Sequence, residues 1–138
     1  MKNLRPIIIV LLALLFSGCA RLGLKEAKVE LLPEQTILTI TLTNKGTPIR
    51  LLPLEAKIMD QSGNEYAALD YTGNLMDPMG KNHGDSVSGT IIFPPLDSQT
   101  TRVKIDLVTL MISKDRRYFS RIAGDVENGL SDNLTFKR

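Results

Sequence analysis

The chain has 138 residues, with 17 Lys and Arg residues, 15 Asp and Glu residues, one His, one Cys and no Trp. A single cysteine cannot form an internal disulfide or a multi-thiolate zinc or iron–sulfur site, so we expect a fold that depends on its hydrophobic core and needs no metal or other cofactor. Two basic residues and no acidic residue precede Cys19, so the rest of the chain carries 15 of each. Nucleic-acid-binding domains usually have a basic excess, and we therefore expect no nucleic acid partner.

The N-terminus has the three-part layout of a secretory signal peptide. Residues 1–5 are short and basic, residues 7–16 are consecutive apolar residues, and small residues follow up to Cys19. A membrane-spanning helix needs about 20 apolar residues, so this run is too short for a permanent span. We predict that residues 1–18 are a signal peptide.

The end of the apolar run, Phe16-Ser17-Gly18-Cys19, resembles the lipobox of bacterial lipoproteins, Leu-(Ala/Ser)-(Gly/Ala)-Cys, with Phe16 in the place of the preferred Leu. The resemblance implies cleavage before Cys19, a diacylglyceryl thioether on the Cys19 sulfur, and a fatty acyl chain such as palmitate on the new amino group. Three acyl chains, at about 0.8 kcal/mol for each buried CH₂ group, anchor a protein stably to a membrane.

The residues after Cys19 bear on where such a lipoprotein is sent. In enteric-type members of this class, Asp at that point retains the protein on the inner membrane, whereas Ala20 and Arg21 stand here. The resemblance therefore implies a periplasm-facing position on the outer membrane, or on the cell surface of a host with one membrane. Residues 19–27 contain few apolar residues and are expected to be a lipidated tether, which leaves residues 28–138 for one domain with one core.

Most of that domain is predicted to be β-strand, because apolar and polar residues alternate along it. The predicted strands are residues 29–32, 36–42, 54–59, 65–69, 86–93, 102–113 and 118–122. Leu54, Ala56 and Ile58 are expected to face inward, and the turn signal of residues 60–64 predicts a hairpin. The alternation changes phase near Val108, which indicates either a β-bulge or a strand that is covered on both faces.

Short strands, turns rich in Gly, Pro, Asn and Asp, and the lack of a long helical period predict an all-β fold, an antiparallel immunoglobulin-like β-sandwich of about 7 strands. Residues 43–46 (TNKG), 60–66 (DQSGNEY) and 89–94 (GTIIFP) resemble turn and strand motifs of the telokin-like, immunoglobulin-fold domains of unknown function that are common in bacterial lipoproteins. That resemblance implies a binding or accessory role in the cell envelope.

The longest stretch without a clean period is residues 70–85, and loops of this length are usually functional or disordered. It contains His83 between Asp77 and Asp85, a set that suits a metal site or a general base with an orienting carboxylate. The neighbouring Gly, Lys and Asn residues and the lack of a second His favour a solvated loop histidine instead. We therefore predict neither a metal site nor a catalytic residue.

The densest basic group is the candidate partner-binding site, and its members are Lys114, Arg116, Arg117, Tyr118 and Arg121. Such a group suits anionic lipid headgroups, lipopolysaccharide phosphates or an acidic envelope protein. The alternative is a solvated strand edge, where Lys and Arg discourage edge-to-edge pairing of sheets.

Together these features favour an envelope lipoprotein that is anchored to the membrane through Cys19 and has a non-enzymatic binding or accessory role. One alternative is an inhibitor of an envelope protease or glycan hydrolase that acts through the 70–85 loop. The other is a small hydrolase that uses His83 with Asp77 or Asp85. Replacement of His83 by Ala distinguishes the hydrolase from the other two functions, because only the hydrolase would lose its activity.

Overall fold

Strands make up most of the chain between residues 22 and 137, the part that the computed structural model describes. They are β1 (Leu22–Leu31), β2 (Thr36–Asn44), β3 (Ile49–Leu51), β4 (Lys57–Asp60), β5 (Glu65–Ala67), β6 (Asp70–Tyr71), β7 (Ser86–Phe93), β8 (Arg102–Met111), β9 (Arg116–Asp125), β10 (Leu130–Ser131) and β11 (Thr135–Lys137). A short 3₁₀ helix, Pro53–Glu55, lies between β3 and β4. Within residues 22–137 no helix has the length and apolar character that crossing a bilayer requires. The predicted signal peptide and Cys19 lie outside the described residues.

The strands form two antiparallel sheets. The first has the order β10-β1-β2-β7-β6, and the second has the order β11-β9-β8-β4-β5, with β3 paired to the end of β8. The inner faces of both sheets contribute to one hydrophobic core, in which Leu38, Phe93, Ile105 and Ile122 are fully buried. The predicted all-β sandwich of two antiparallel sheets is confirmed at this level.

β1 is longer than the sequence suggests. It begins at Leu22, so residues 22–27 of the expected tether are instead part of the first sheet. The ladder between β1 and β2 has a bulge between Leu24 and Glu26, and one extra residue in a strand reverses the side to which later residues point. Leu22 and Leu24 face the core before the bulge and Ala27 faces it afterwards, so no continuous alternation is visible in the sequence.

The clearest alternating segments fold as predicted. β2 buries Leu38, Ile40 and Leu42 completely, while the threonines between them face outward. β7 has the predicted bounds, and β4 pairs with β5 across the turn at residues 60–64 to give the predicted hairpin. Each of these segments is a half-buried strand with one apolar face, the pattern in which a period of two is easiest to recognise.

The predicted inward position of Leu54 is wrong. Leu54 is 53% exposed, although Ala56 and Ile58 are buried as expected. The cause is Pro53, which occupies the first position of the 3₁₀ helix and fixes a φ angle that suits a helical turn. The chain therefore re-enters the sheet only at Lys57, where β4 begins.

The phase change near Val108 arises from burial rather than from a bulge. The register between β8 and β9 is continuous from Arg102 to Met111. Thr109 is buried on the inner face and Val108 is only 5% exposed on the outer face, where the 3₁₀ helix contacts β8. This end of β8 is a strand covered on both faces, which is one of the two predicted alternatives.

The C-terminal residues add one strand to each sheet. β10 pairs with β1, β11 pairs with β9, and Val126 and Leu134 are buried near them. The described residues therefore contain eleven strands where about seven are predicted. The difference of four strands arises because β3, β6, β10 and β11 have only two or three residues each, too few for an alternation to be visible.

Candidate functional site

The outer face of the second sheet is strongly basic, and we call it the basic face. Directly opposed residues of an antiparallel pair lie on the same side of the sheet, so the register assigns each residue to a face. Seven cationic residues lie on the basic face: Arg50, Lys57, Arg102, Lys104, Arg117, Arg121 and Lys137. Three acidic strand residues share it: Glu65, Asp106 and Asp125. The strands thus give this face an excess of four positive charges.

The outer face of the first sheet, which we call the hydroxyl face, has a different chemistry. Its central cross-strand pairs are Thr43 with Ser86, Thr41 with Ser88, and Thr39 with Thr90. Its charged strand residues are Glu26, Lys28, Glu30 and Asp70, and the exposed Lys25 lies beside them at the bulge, which gives three acids and two cations. The two outer faces of the sandwich therefore carry opposite net charge.

Phe119 is the most exposed large apolar residue of the described chain, at 76%. It lies on β9 between Arg117 and Arg121, and all three point to the basic face. Its partner across the ladder, Val108, is buried. The aromatic ring therefore stands in solvent at the centre of a cationic surface, an arrangement found at membrane and protein contact surfaces.

The five predicted partner-binding residues do not form one surface. Arg117 and Arg121 point to the basic face, whereas Arg116 and Tyr118 occupy the alternate positions of β9, on the side where Ile122 is buried. Tyr118 is half-buried. Lys114 lies in the turn before β9.

The predicted partner-binding residues leave out Phe119 and the lysines on the neighbouring strands. Lys57, Lys104 and Lys137 belong to segments far apart in the chain, and only strand pairing brings them to the same face as Arg121. The alternation of residues 116–121 was the one available signal, because in a strand it separates Phe119 from Tyr118.

Three of the seven cations on the basic face are in ion pairs. Arg121 makes two hydrogen bonds to Asp106, from Nε to Oδ1 at 2.6 Å and from Nη2 to Oδ2 at 3.1 Å, and these bonds raise the pKa of its guanidinium above the usual value. The other two pairs join Arg117 to Glu55 at 3.4 Å and Arg102 to Asp125 at 3.2 Å.

The remaining four cations on the basic face make no ion pair with any of residues 22–137; they are Arg50, Lys57, Lys104 and Lys137. The charges of these four residues remain available to an anionic partner. The ion pairs at Arg102, Arg117 and Arg121 compensate three of the seven positive charges, so the available charge lies mainly on lysines.

The basic face adjoins the point where the described chain begins. Leu22 lines an open groove of about 700 Å³ together with Phe119, Arg121 and Lys137. Cys19, the predicted lipidation site, lies outside the described residues, but only two residues separate it from Leu22. An extended chain advances by at most about 3.6 Å per residue, so the Cα atom of Cys19 lies within about 11 Å of that of Leu22.

The long loop is held against the sandwich by buried groups. Leu75 and Met79 are fully buried, and Asn44, also fully buried, donates from Nδ2 to the carbonyl oxygens of Thr47 and Met79 at 2.9 Å each. Asn44 Oδ1 accepts a hydrogen bond from the Gly46 amide. The segment is therefore an ordered loop, with an exposed tip formed by residues 81–85.

His83 and Asp85 lie at that exposed tip, and Asp77 is exposed earlier in the same loop. Within residues 22–137 the His83 side chain makes no hydrogen bond and no ion pair, and its amide donates to the Gly80 carbonyl in a tight turn. No group of three or more His, Cys, Asp or Glu residues in the described range is arranged to hold a metal ion.

Comparison of the chain with protein-family models, with curated proteins and with solved structures finds no match in any of the three.

Proposed function

We propose that this chain is a lipid-anchored envelope protein in which residues 1–18 are removed, Cys19 carries the acyl chains, and the β-sandwich is a non-enzymatic binding module. One observation carries the proposal. Cys19, the single cysteine of the chain, ends a run of apolar and small residues in the pattern Phe-Ser-Gly-Cys. A thiol at this position has no disulfide partner within the chain, and lipidation gives it a role.

The position of β1 supports an anchored arrangement. Because β1 begins at Leu22, acyl chains on Cys19 would hold the sandwich close to the bilayer rather than at the end of a long tether. Ala20 and Arg21, in the place where Asp would favour inner-membrane retention in the lipoprotein class, support the periplasmic side of the outer membrane.

We also propose that the sandwich belongs to the immunoglobulin-like, telokin-like class. Support comes from the three motifs of that resemblance, each of which lies at a strand or turn of the fold. Residues 43–46 include the end of β2, residues 60–66 include the turn between β4 and β5, and residues 89–94 include the end of β7. An experimental structure that gives a different strand connectivity would remove this assignment.

The physical advantage of such a module is effective concentration. A tethered domain meets other components of the same membrane at a much higher local concentration than a free domain, so weak contacts are sufficient for binding. Exposed side chains on the basic face and on the 70–85 loop would then serve as contact groups without requiring a deep pocket.

A fractionation experiment tests the anchor. The full chain and the Cys19→Ser variant are expressed in a bacterial host, and the protein in membrane and soluble fractions is measured. The matched control is Ser17→Ala, which keeps a residue that the lipobox allows. We expect the parent and Ser17→Ala in the membrane fraction after removal of residues 1–18, and Cys19→Ser without lipid processing. Identical processing and fractionation of all three proteins would refute the proposal.

A second candidate function, inhibition of an envelope protease or glycan hydrolase, is favoured by the order of the long loop. Leu75, Met79 and Asn44 fix the loop in one conformation, and a preorganised loop loses little conformational entropy on binding. Replacement of residues 81–84 by a Gly-Ser segment of equal length should abolish inhibition while the fold is retained. Retained inhibition in that variant would remove this candidate.

A further inference from the structure

We infer that the basic face lies against the anionic surface of the membrane in which Cys19 is anchored, with Phe119 in the headgroup layer. This orientation rests on the proposed function, because it requires acyl chains on Cys19. The occupant of the basic face is thus a bilayer surface with anionic headgroups.

The first argument is the reach of the anchor. Leu22 shares a groove with Phe119, Arg121 and Lys137, and the Cα atom of Cys19 lies within about 11 Å of that of Leu22. Acyl chains on Cys19 therefore enter the bilayer close to the edge of the basic face. A tether of this length keeps the edge of the domain at Leu22 close to the bilayer, and Phe119 lines the groove at that edge.

The second argument is charge. The strands of the basic face have an excess of four positive charges, which becomes three when Glu55, the partner of Arg117, is counted. Lys57, Lys104 and Lys137 make no ion pair with any described residue. Cations close to an anionic membrane surface are attracted to it. The hydroxyl face, with three acids and two cations, has no positive excess that would attract it to the same surface.

The third argument is the exposed ring of Phe119. At 76% exposure it leaves apolar surface in water, and burial in the headgroup layer would remove that surface from water. Arg117 and Arg121 flank it on the same face, where they form ion pairs with Glu55 and Asp106. Membrane-surface binding combines burial of apolar side chains with attraction of cations to anionic lipids, and this face offers both kinds of group.

Fluorescence can test this orientation, because the chain contains no Trp. The Phe119→Trp variant is purified as the mature protein from bacterial membranes and reconstituted into vesicles of phosphatidylglycerol and phosphatidylcholine with brominated acyl chains. Lys28→Trp, at an exposed position of the hydroxyl face, is the matched control. Both variants are checked for the parent's circular dichroism spectrum, and Cys19 acylation is measured by mass on the same samples.

We expect the emission of Phe119→Trp to shift to shorter wavelength and to be quenched by bromine, and that of Lys28→Trp to remain as in water. The orientation would be overturned, with the anchor intact, if the protein is acylated and the emission of Phe119→Trp stays that of a solvent-exposed Trp. Quenching of Lys28→Trp instead would overturn the orientation in the same way. A protein without acyl chains would overturn the proposed function, and the orientation with it.

A second comparison isolates the charges. Lys104→Glu and Lys137→Glu are introduced together into the Phe119→Trp protein, and Lys28→Glu serves as the control in the same background. In the anionic vesicles, we expect the double variant to lose the quenching and the control to keep it. High salt, which shortens the Debye length to about 3 Å at 1 M, should reduce the quenching as well. Quenching that persists in the double variant at low salt would overturn the role of the basic face.

Discussion

The long loop and the basic face are the two regions for which we propose contacts with a partner, and they are ordered in different ways. In the loop, Leu75 and Met79 enter the core and Asn44 binds backbone carbonyl groups, so its conformation depends on buried contacts. On the basic face the backbone is fixed by strand pairing, and side chains such as Phe119 and Lys104 remain exposed. Substitutions that destabilise the loop should therefore leave the basic face intact, and substitutions on the basic face should hardly change stability.

The largest expected effect is that of Met79→Ala. Met79 is fully buried, and removal of a buried Met side chain costs about 2–4 kcal/mol of unfolding free energy because it leaves a cavity. Met76 in the same loop is 37% exposed, so Met76→Ala should change stability by less than about 0.5 kcal/mol. Urea denaturation of both variants measures the difference. Equal losses in the two variants would show that Met79 does not fix the loop to the core.

Asn44→Ala should have the next largest effect. It leaves the carbonyl oxygens of Thr47 and Met79 without their donor, at a cost of about 1–3 kcal/mol. The loop should also become easier to cleave, which limited proteolysis with mass analysis of the fragments can detect. Asn74→Ala is the control. Asn74 is exposed and accepts one hydrogen bond, from the Ser88 amide, so Asn74→Ala should lose less unfolding free energy than Asn44→Ala. Cleavage of both variants at equal rates would contradict this prediction.

A pH-dependent effect is expected at Asp60, which orders its turn by hydrogen bonds much as Asn44 orders the loop. Burial raises the pKa of the carboxyl group, but hydrogen bonds from the amides of Asn64, Ser62 and Gly63 and from the Asn64 side chain oppose it, and the net pKa is below the usual 3.8. A lowered pKa means that the ionised group stabilises the fold above the unfolded pKa, and that this contribution declines as the pH falls through the folded pKa.

Comparison of the parent chain with the Asp60→Asn variant tests whether the pKa of Asp60 is lowered. We expect the difference in unfolding free energy between the two proteins to be constant at neutral pH and to shrink below about pH 4, near the unfolded pKa of Asp. Denaturant titrations at a series of pH values measure it. A difference that grows on acidification would mean that the pKa of Asp60 is raised rather than lowered.

The smallest expected effect is on the basic face itself. Arg121 and Asp106 form a two-bond ion pair with side chains that are 43% and 36% exposed, and exposed pairs contribute about 0.2–1 kcal/mol. A double-mutant cycle with Arg121→Ala and Asp106→Ala should give a coupling in that range, and added salt should reduce it. A coupling of several kcal/mol that salt leaves unchanged would mean that this face is far less solvated than its exposure indicates.

The fold class could be predicted because its longest strands are half-buried. Alternation identified β2 and β7 and the hairpin between β4 and β5, but it failed where a local feature interrupts the period. The bulge after Leu24 concealed the start of β1, and Pro53 turned Leu54 outward. Very short strands such as β10 depend on pairing with distant strands, which local sequence does not encode.

The candidate site could be predicted only in part. The dense basic residues of β9 are adjacent in sequence and were identified, whereas Lys57 and Lys104 join them only through pairing of β4 and β9 with β8. The order of the long loop was also not foreseen. Nothing local distinguishes the buried Met79 from the exposed Met76, because their difference arises from contact with the rest of the fold.

The most direct test of the central claim is the mass and N-terminal residue of the mature protein extracted from bacterial membranes. The anchored account predicts a polypeptide that begins at Cys19 and is heavier than residues 19–138 by the mass of its acyl groups. A product that still contains residues 1–18, or one whose mass equals that of the bare polypeptide, would contradict it.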